Sequence, residues 1–236
     1  MSRKIVYPAL LFLVCPILRG QGIFDRVPAK VDPAAKYLIY IHGRIIETQK
    51  SLRPRHRRHG YYEYEKILEA LRDKGFLIIS EARMTEVDPA VYAKTIAERV
   101  NSLIRAGVSP RRITTIGASK GGVIAVFASS LIHNPEVNFV ILSSCTDELF
   151  KATNAKGVLL YGNVLSIYDA DDESGDLTCR KFFEAAKGKG LGRFKEIKLT
   201  TGLGHGILYR PIPEWVEPAT AWANEMADSS GPETPR

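Results

Sequence analysis

A serine framed by two glycines, Gly117-Ala118-Ser119-Lys120-Gly121, is the residue of this chain best set for covalent chemistry. Its spacing is G-x-S-x-G, and its surroundings matter as much as its letters. A β-branched, apolar run over residues 112–116 comes before it, and an apolar, proline-free run over residues 122–128 follows. A strand that turns at once into a helix displays a serine at the tip of the turn, which separates this setting from an accidental match. The glycines lack a Cβ, so the chain can pass close to itself while Ser119 holds a strained backbone conformation. The Oγ then stands above the sheet, with the positive end of the helix beneath it. The chemistry such a group does is attack on an electrophilic carbonyl.

A hydroxyl is a poor nucleophile until a base takes its proton. The expected base is His205, in the loop Thr201-Gly202-Leu203-Gly204-His205-Gly206, which follows the last strand and lies downstream of the serine and the acids. His56 and His59 sit in an arginine-rich loop, His133 lies near a helix end, and His42 ends a strand ahead of the serine. An acid must then hold the imidazole in one tautomer and balance its charge. Residues 166–173 offer Asp169, Asp171, Asp172 and Glu173. Asp172 is the first choice, because a few residues beyond the strand let a carboxylate curl back towards the histidine. Asp169 is the second, and can instead cap the loop by accepting from nearby backbone amides.

An oxyanion needs two donors, and losing one costs roughly 3–4 kcal/mol. One is the backbone N–H of Lys120, whose side chain needs no special role. The other is the N–H of Arg44, in the loop that opens His42-Gly43-Arg44. Gly43 lets the backbone turn, and His42 is expected to support this loop rather than to transfer protons.

The elements that must position these groups alternate. Strands are expected at residues 36–41, 76–79, 112–116, 138–142, 162–168 and 194–199, the last as an edge strand. Helices are expected at residues 64–71, 88–107, after the serine, at 176–187 and at 213–227, with Pro89 in the first turn of the second. Strands alternating with helices give a mostly parallel central sheet flanked by helices, an α/β fold. Ligands bind such sheets at the carboxyl ends of the strands, where every motif above falls.

Strand–His42-Gly43, strand–G-x-S-x-G–helix, strand–Asp and loop–His205, in that order, resemble the α/β-hydrolase superfamily over residues 36–227. The single Gly43 departs from the multiple glycines of hormone-sensitive-type lipases and esterases, and no insertion is large enough for a cap domain. The resemblance implies a serine hydrolase acting on ester-like acyl bonds through Ser119, His205 and Asp172. A serine peptidase or amidase on the same triad, or a non-catalytic binding protein of the same fold, are the alternatives.

With 236 residues and 45% hydrophobic content, the chain suits one core. Arg3 and Lys4, the apolar stretch 5–18 and the small residues near Gly20-Gln21-Gly22 read as a signal peptide over residues 1–22, implying a secreted or periplasmic protein. The stretch is too short to span a bilayer, so no integral membrane segment is expected after processing. The domain then covers residues 23–227, and the polar, Pro- and Gly-containing residues 228–236 read as a disordered tail. In an oxidising compartment Cys145 and Cys179 form either a disulfide or two buried thiols, a choice that rests on their Cα separation. The formal charge of +7 includes three cations of the leader and does not call for nucleic acid. No metal-ligand spacing and no dinucleotide fingerprint is present, so no cofactor is expected. The expected partner is a small ester-like molecule. Lys50, Arg53, Arg55, Arg57 and Arg58, followed by Tyr61, Tyr62 and Tyr64, read either as recognition of an anionic group or as a solvated loop.

Overall fold

Runs of apolar and β-branched residues, buried on both faces, build the centre of the molecule. The computed structural model describes residues 22–228. The expected leader and tail therefore lie outside the described residues, apart from Gly22 and Asp228. In chain order the strands are β1 (Ile23–Phe24), β2 (Tyr37–Ile41), a separate hairpin of β3 (Arg55–His56) and β4 (Gly60–Tyr61), then β5 (Leu77–Ile79), β6 (Ile113–Ala118), β7 (Asn138–Leu142), β8 (Gly162–Asp169) and β9 (Leu191–Leu199). Seven of them form one sheet in the order β1-β5-β2-β6-β7-β8-β9, and every neighbouring pair is parallel. Ile41 pairs with Gly117 and Ala118 with Leu142, so β2, β6 and β7 end level and the loops leaving them meet.

The helices are α1 (Arg44–Gln49), α2 (Tyr64–Arg72), α3 (Pro89–Arg105), α4 (Lys120–Ile132), α5 (Asp147–Asn154), α6 (Arg180–Ala186) and α7 (Pro213–Asp228). The period of two along a strand divides the core. Tyr37, Ile39 and Ile41 pack with Val100 of α3 and Ile124 of α4 on one face, and Leu38 and Tyr40 pack with Ile67 of α2 and Trp215 of α7 on the other. Each such side chain, fully buried, contributes about 1.5–3 kcal/mol. The α3 start is capped as its residues require: Asp88 accepts from the Val91 N–H, and Pro89 takes the first turn. Among the described residues, no helix is long and apolar enough to cross a membrane.

Several elements differ from the sequence expectation. The helix expected from residue 176 begins only at Arg180, because Glu196 of β9 accepts from the Thr178 hydroxyl and the Cys179 N–H, both at 2.6 Å, and holds that segment out of the helix. The edge strand starts at Leu191 rather than residue 194. The segment read as an arginine-rich loop contains the β3–β4 hairpin. Cys145, after β7, and Cys179, before α6, form a disulfide with Cα atoms 5.1 Å apart.

Candidate active site

The sharpest turn in the chain is at Ser119. Its φ of 52° and ψ of −120° lie where a non-glycine residue costs roughly 1–3 kcal/mol. Three hydrogen bonds hold it there: the Ser119 N–H donates to the Leu142 carbonyl at 2.9 Å, and its own carbonyl accepts from Ser144 Oγ and the Gly122 N–H, each at 2.8 Å. The flanking glycines are required by space. A Cβ on Gly117 would stand 2.3 Å from the Gly121 carbonyl oxygen, and one on Gly121 would stand 1.9 Å from that of Ile41.

His205 arrives from the far side of the sheet, in a short 3-10 turn (Gly204–Tyr209) after β9. Its Nε2 lies 3.0 Å from Ser119 Oγ, and its Nδ1 lies 2.8 Å from Asp172 Oδ2. A carboxylate only accepts, so Nδ1 carries the proton and Nε2 is free to accept from the serine. The Asp172 carboxylate is sealed from solvent and also accepts from the Ser174 N–H at 3.0 Å. Burial pushes its pKa up, but the hydrogen bonds from His205 and Ser174 outweigh burial, and the net value is lowered. Asp169 does not reach the histidine. It accepts from the Thr201 hydroxyl and N–H and from the N–H groups of Asp171 and Gly204, lashing the end of β8 to the loop that carries His205.

Arg44 and Lys120 are the first residues of α1 and α4, where an N–H has no acceptor inside the helix. A Cβ on Gly43 would stand 3.6 Å from Ala118 and Ser119, so the start of α1 lies beside the serine that precedes α4. His42 is fully buried. Its Nε2 accepts from the Arg83 N–H at 2.8 Å, so Nδ1 is protonated and donates to the Gly43 carbonyl at 2.7 Å. Burial, with the Arg83 cation beside it, depresses its pKa to about 3, so it stays neutral.

The Lys120 side chain corrects the sequence reading, which gave it no role. Its ammonium lies 2.5 Å from the buried Glu47 carboxylate, whose other oxygen accepts from Arg83 Nε at 2.8 Å. The sequence motifs point to neither Glu47 nor Arg83. Each stands among ordinary charged residues of a short helix or loop, and only the fold joins them.

No protein-family model matches the sequence, and no curated protein matches it. Solved structures do share its architecture. Esterase PE8 aligns with a TM-score of 0.55 over 85% of this chain and 98% of its own, at 15% identity. A truncated carbohydrate esterase from gut microbiota gives 0.54 over 86% and 90%, at 13% identity. SOBER1 of Arabidopsis thaliana gives 0.53 over 82% and 99%, at 15% identity. The chain has the α/β-hydrolase fold.

Within this α/β-hydrolase fold, a cleft of about 310 Å³ opens above Ser119. Ile45, Leu208 and Tyr209 give it apolar walls, Arg44 and His56 stand at its polar side, and none of its lining residues is acidic. Beside Thr48 and Gln49 of α1, the lining is completed by His56 of the β3–β4 hairpin and the adjoining Tyr62. Hydrogen bonds pin this segment: the Glu63 N–H donates to the Tyr209 carbonyl at 2.8 Å, and His59 Nε2 lies 2.6 Å from Glu173. Arg53 stacks on Tyr61 at 4.4 Å, Arg58 lies 3.9 Å from Glu173, and Arg57 has no ion-pair partner among the described residues.

Proposed function

We propose that this protein is a serine hydrolase that cleaves ester-like bonds of small molecules, with Ser119 as nucleophile, His205 as base and Asp172 as the acid that orients it. The observation that carries this reading is the hydrogen-bonded line from Asp172 through His205 to Ser119, at 2.8 and 3.0 Å, ending on a serine held at positive φ. As Ser119 Oγ attacks the carbonyl carbon, its proton passes to His205 Nε2, and the amides of Arg44 and Lys120 receive the oxyanion. The C–O bond to the alcohol breaks, and the alcohol leaves with the proton from Nε2. Water then attacks the acyl-enzyme, giving its proton to Nε2, and the acid departs as Ser119 regains a proton. The acid-free cleft, with Arg44 and His56 in its lining and the hairpin arginines on the segment that carries His56, favours an ester bearing a carboxylate or phosphate.

The test is labelling by a fluorophosphonate together with hydrolysis of a panel of ester, thioester and amide substrates. Wild type is expected to label and to prefer esters, and Ser119→Ala to do neither. Equal labelling of both proteins refutes the nucleophile assignment, and faster amide turnover turns the reading to an amidase. We further propose that the protein works in an exported, oxidising compartment, which the leader-like composition of residues 1–22 and the Cys145–Cys179 bridge support. N-terminal sequencing of protein recovered from an exporting host checks it, an intact residue 1 being the contrary result.

A further inference from the structure

Glu47 is an unusual residue to find at no solvent exposure. A buried carboxylate is costly unless its partners are close and well aligned, and apolar residues of like volume usually do as well for stability alone. Here the partners are Arg83 Nε at 2.8 Å and Lys120 Nζ at 2.5 Å, with the Val87 N–H at 3.4 Å. Arg83 carries the connection onward. It donates through Nη2 to the His42 carbonyl at 2.6 Å and through its N–H to His42 Nε2 at 2.8 Å, and His42 donates to the Gly43 carbonyl. Ion pairs and hydrogen bonds therefore run from Lys120 through Glu47 and Arg83 to the neutral His42 and Gly43. They join the first residue of α4 to the loop that delivers Arg44. Glu47 itself lies one helical turn after Arg44 in α1.

We propose that Glu47 is a positioning residue for the oxyanion hole: its buried carboxylate locks the Arg44 and Lys120 arms at a fixed separation by gripping Lys120 and Arg83 at once. The inference rests on the serine-hydrolase reading. Oxyanion stabilisation depends on donors that are already in place when charge develops, and a site loosened by a fraction of an ångström loses much of that benefit. Glu47, Arg83 and Lys120 do not themselves line the cleft that binds the ground state, so the clamp acts chiefly on the transition state. Its signature is therefore in kcat rather than KM.

The experiment compares wild type, Glu47→Gln, Lys120→Met and Lys120→Arg on one hydrolysed ester. It also measures inhibition by a trifluoromethyl ketone, which Ser119 converts to a hemiketal oxyanion, and thermal unfolding of each protein. Lys120→Met keeps the backbone amide and the Glu47–Arg83 pair, so it reports on the clamp even if Glu47→Gln does not fold. The expected result is a fall in kcat of about 10- to 100-fold with KM within about twofold, a parallel loss of ketone affinity, and substantial recovery in Lys120→Arg. Folded Lys120→Met with wild-type kcat and ketone affinity overturns the inference, as does a rise in KM at constant kcat. A wild-type protein that neither labels with fluorophosphonate nor turns over any ester overturns the hydrolase reading, and the inference with it.

Discussion

Oδ2 of Asp172 stands 2.8 Å from Nδ1 of His205, whereas Asp169, on the same strand end, directs its carboxylate to Thr201, Asp171 and Gly204. Two similar acids thus have different partners, and amide substitution separates them. Asp172→Asn is expected to lower kcat by about 10³- to 10⁴-fold, because an amide can stabilise the wrong imidazole tautomer, with little change in thermal stability. Asp169→Asn is expected to cost about 1–3 kcal/mol of stability, read by urea unfolding, and to affect kcat less. The opposite ranking of the two kcat values would reassign the acid.

Packing at the elbow gives a second prediction. Gly121→Ala places a methyl group 1.9 Å from the Ile41 carbonyl oxygen, a backbone atom that cannot swing aside. A loss of more than about 4 kcal/mol is expected, seen as failure to recover folded protein. Gly202→Ala meets no atom within 4 Å and is strained only by its φ of 74°, so it should cost about 1–2 kcal/mol. Comparable stability of the two variants would argue against the close crossing.

Acid sensitivity should trace to His42. Its pKa is about 3 in the folded protein against an ordinary 6.5, so between those values the unfolded chain binds the extra proton. Its contribution is complete above pH 6.5 and declines as pH falls, by about 1 kcal/mol per unit. Arg83 and Lys120 add to this by repelling a further positive charge, while Asp169 and Asp172, both lowered, respond only at more acid pH. Urea unfolding from pH 7 to 5 should show the slope, and His42→Gln should flatten it.

The Cys145–Cys179 bridge closes a span of 34 residues, for which chain entropy gives about 4 kcal/mol. Unfolding in the presence of reductant should lose about that much. A Cys145→Ser/Cys179→Ser protein as stable as wild type would show that the bridge contributes nothing.

If the hairpin arginines meet an anionic substrate, charge reversal there should be selective. Arg55→Glu with Arg57→Glu is expected to raise KM for a carboxylate-bearing ester several-fold and leave a neutral ester with the same acyl group unchanged. Added salt should weaken the wild-type preference in the same direction, since exposed charges are screened over about 10 Å at 0.1 M. Equal KM values for the two esters in wild type would remove the case for anion recognition.

The groups nearest in sequence to a backbone device were legible. Gly117, Ser119 and Gly121 carry their geometry in their spacing, and the strand runs 36–41 and 138–142 announce burial by composition. Asp172 could be ranked above Asp169 because loop length limits how a carboxylate folds back. The rest depended on tertiary meeting points. Glu47, Arg83 and Lys120 come from α1, the loop after β5 and α4, and a glutamate in a six-residue helix looks like any solvated one. His59 and Glu173 are 114 residues apart. The two-residue strands of the hairpin are too short for a period to register.

One continuous segment, residues 50–62, brings His56 and Tyr62 to the cleft lining, while the proposed nucleophile, base, acid and both amides come from elsewhere. That division makes the hairpin an exchangeable cassette. A library confined to this stretch would alter the His56 side of the cleft without rewriting the proposed reaction. Such a library should preserve Tyr62 and His59, the points by which the hairpin is fastened to the Tyr209 and Glu173 side of the site. The same modularity offers evolution a route to new substrates by altering a short surface loop, at little risk to the sheet beneath it.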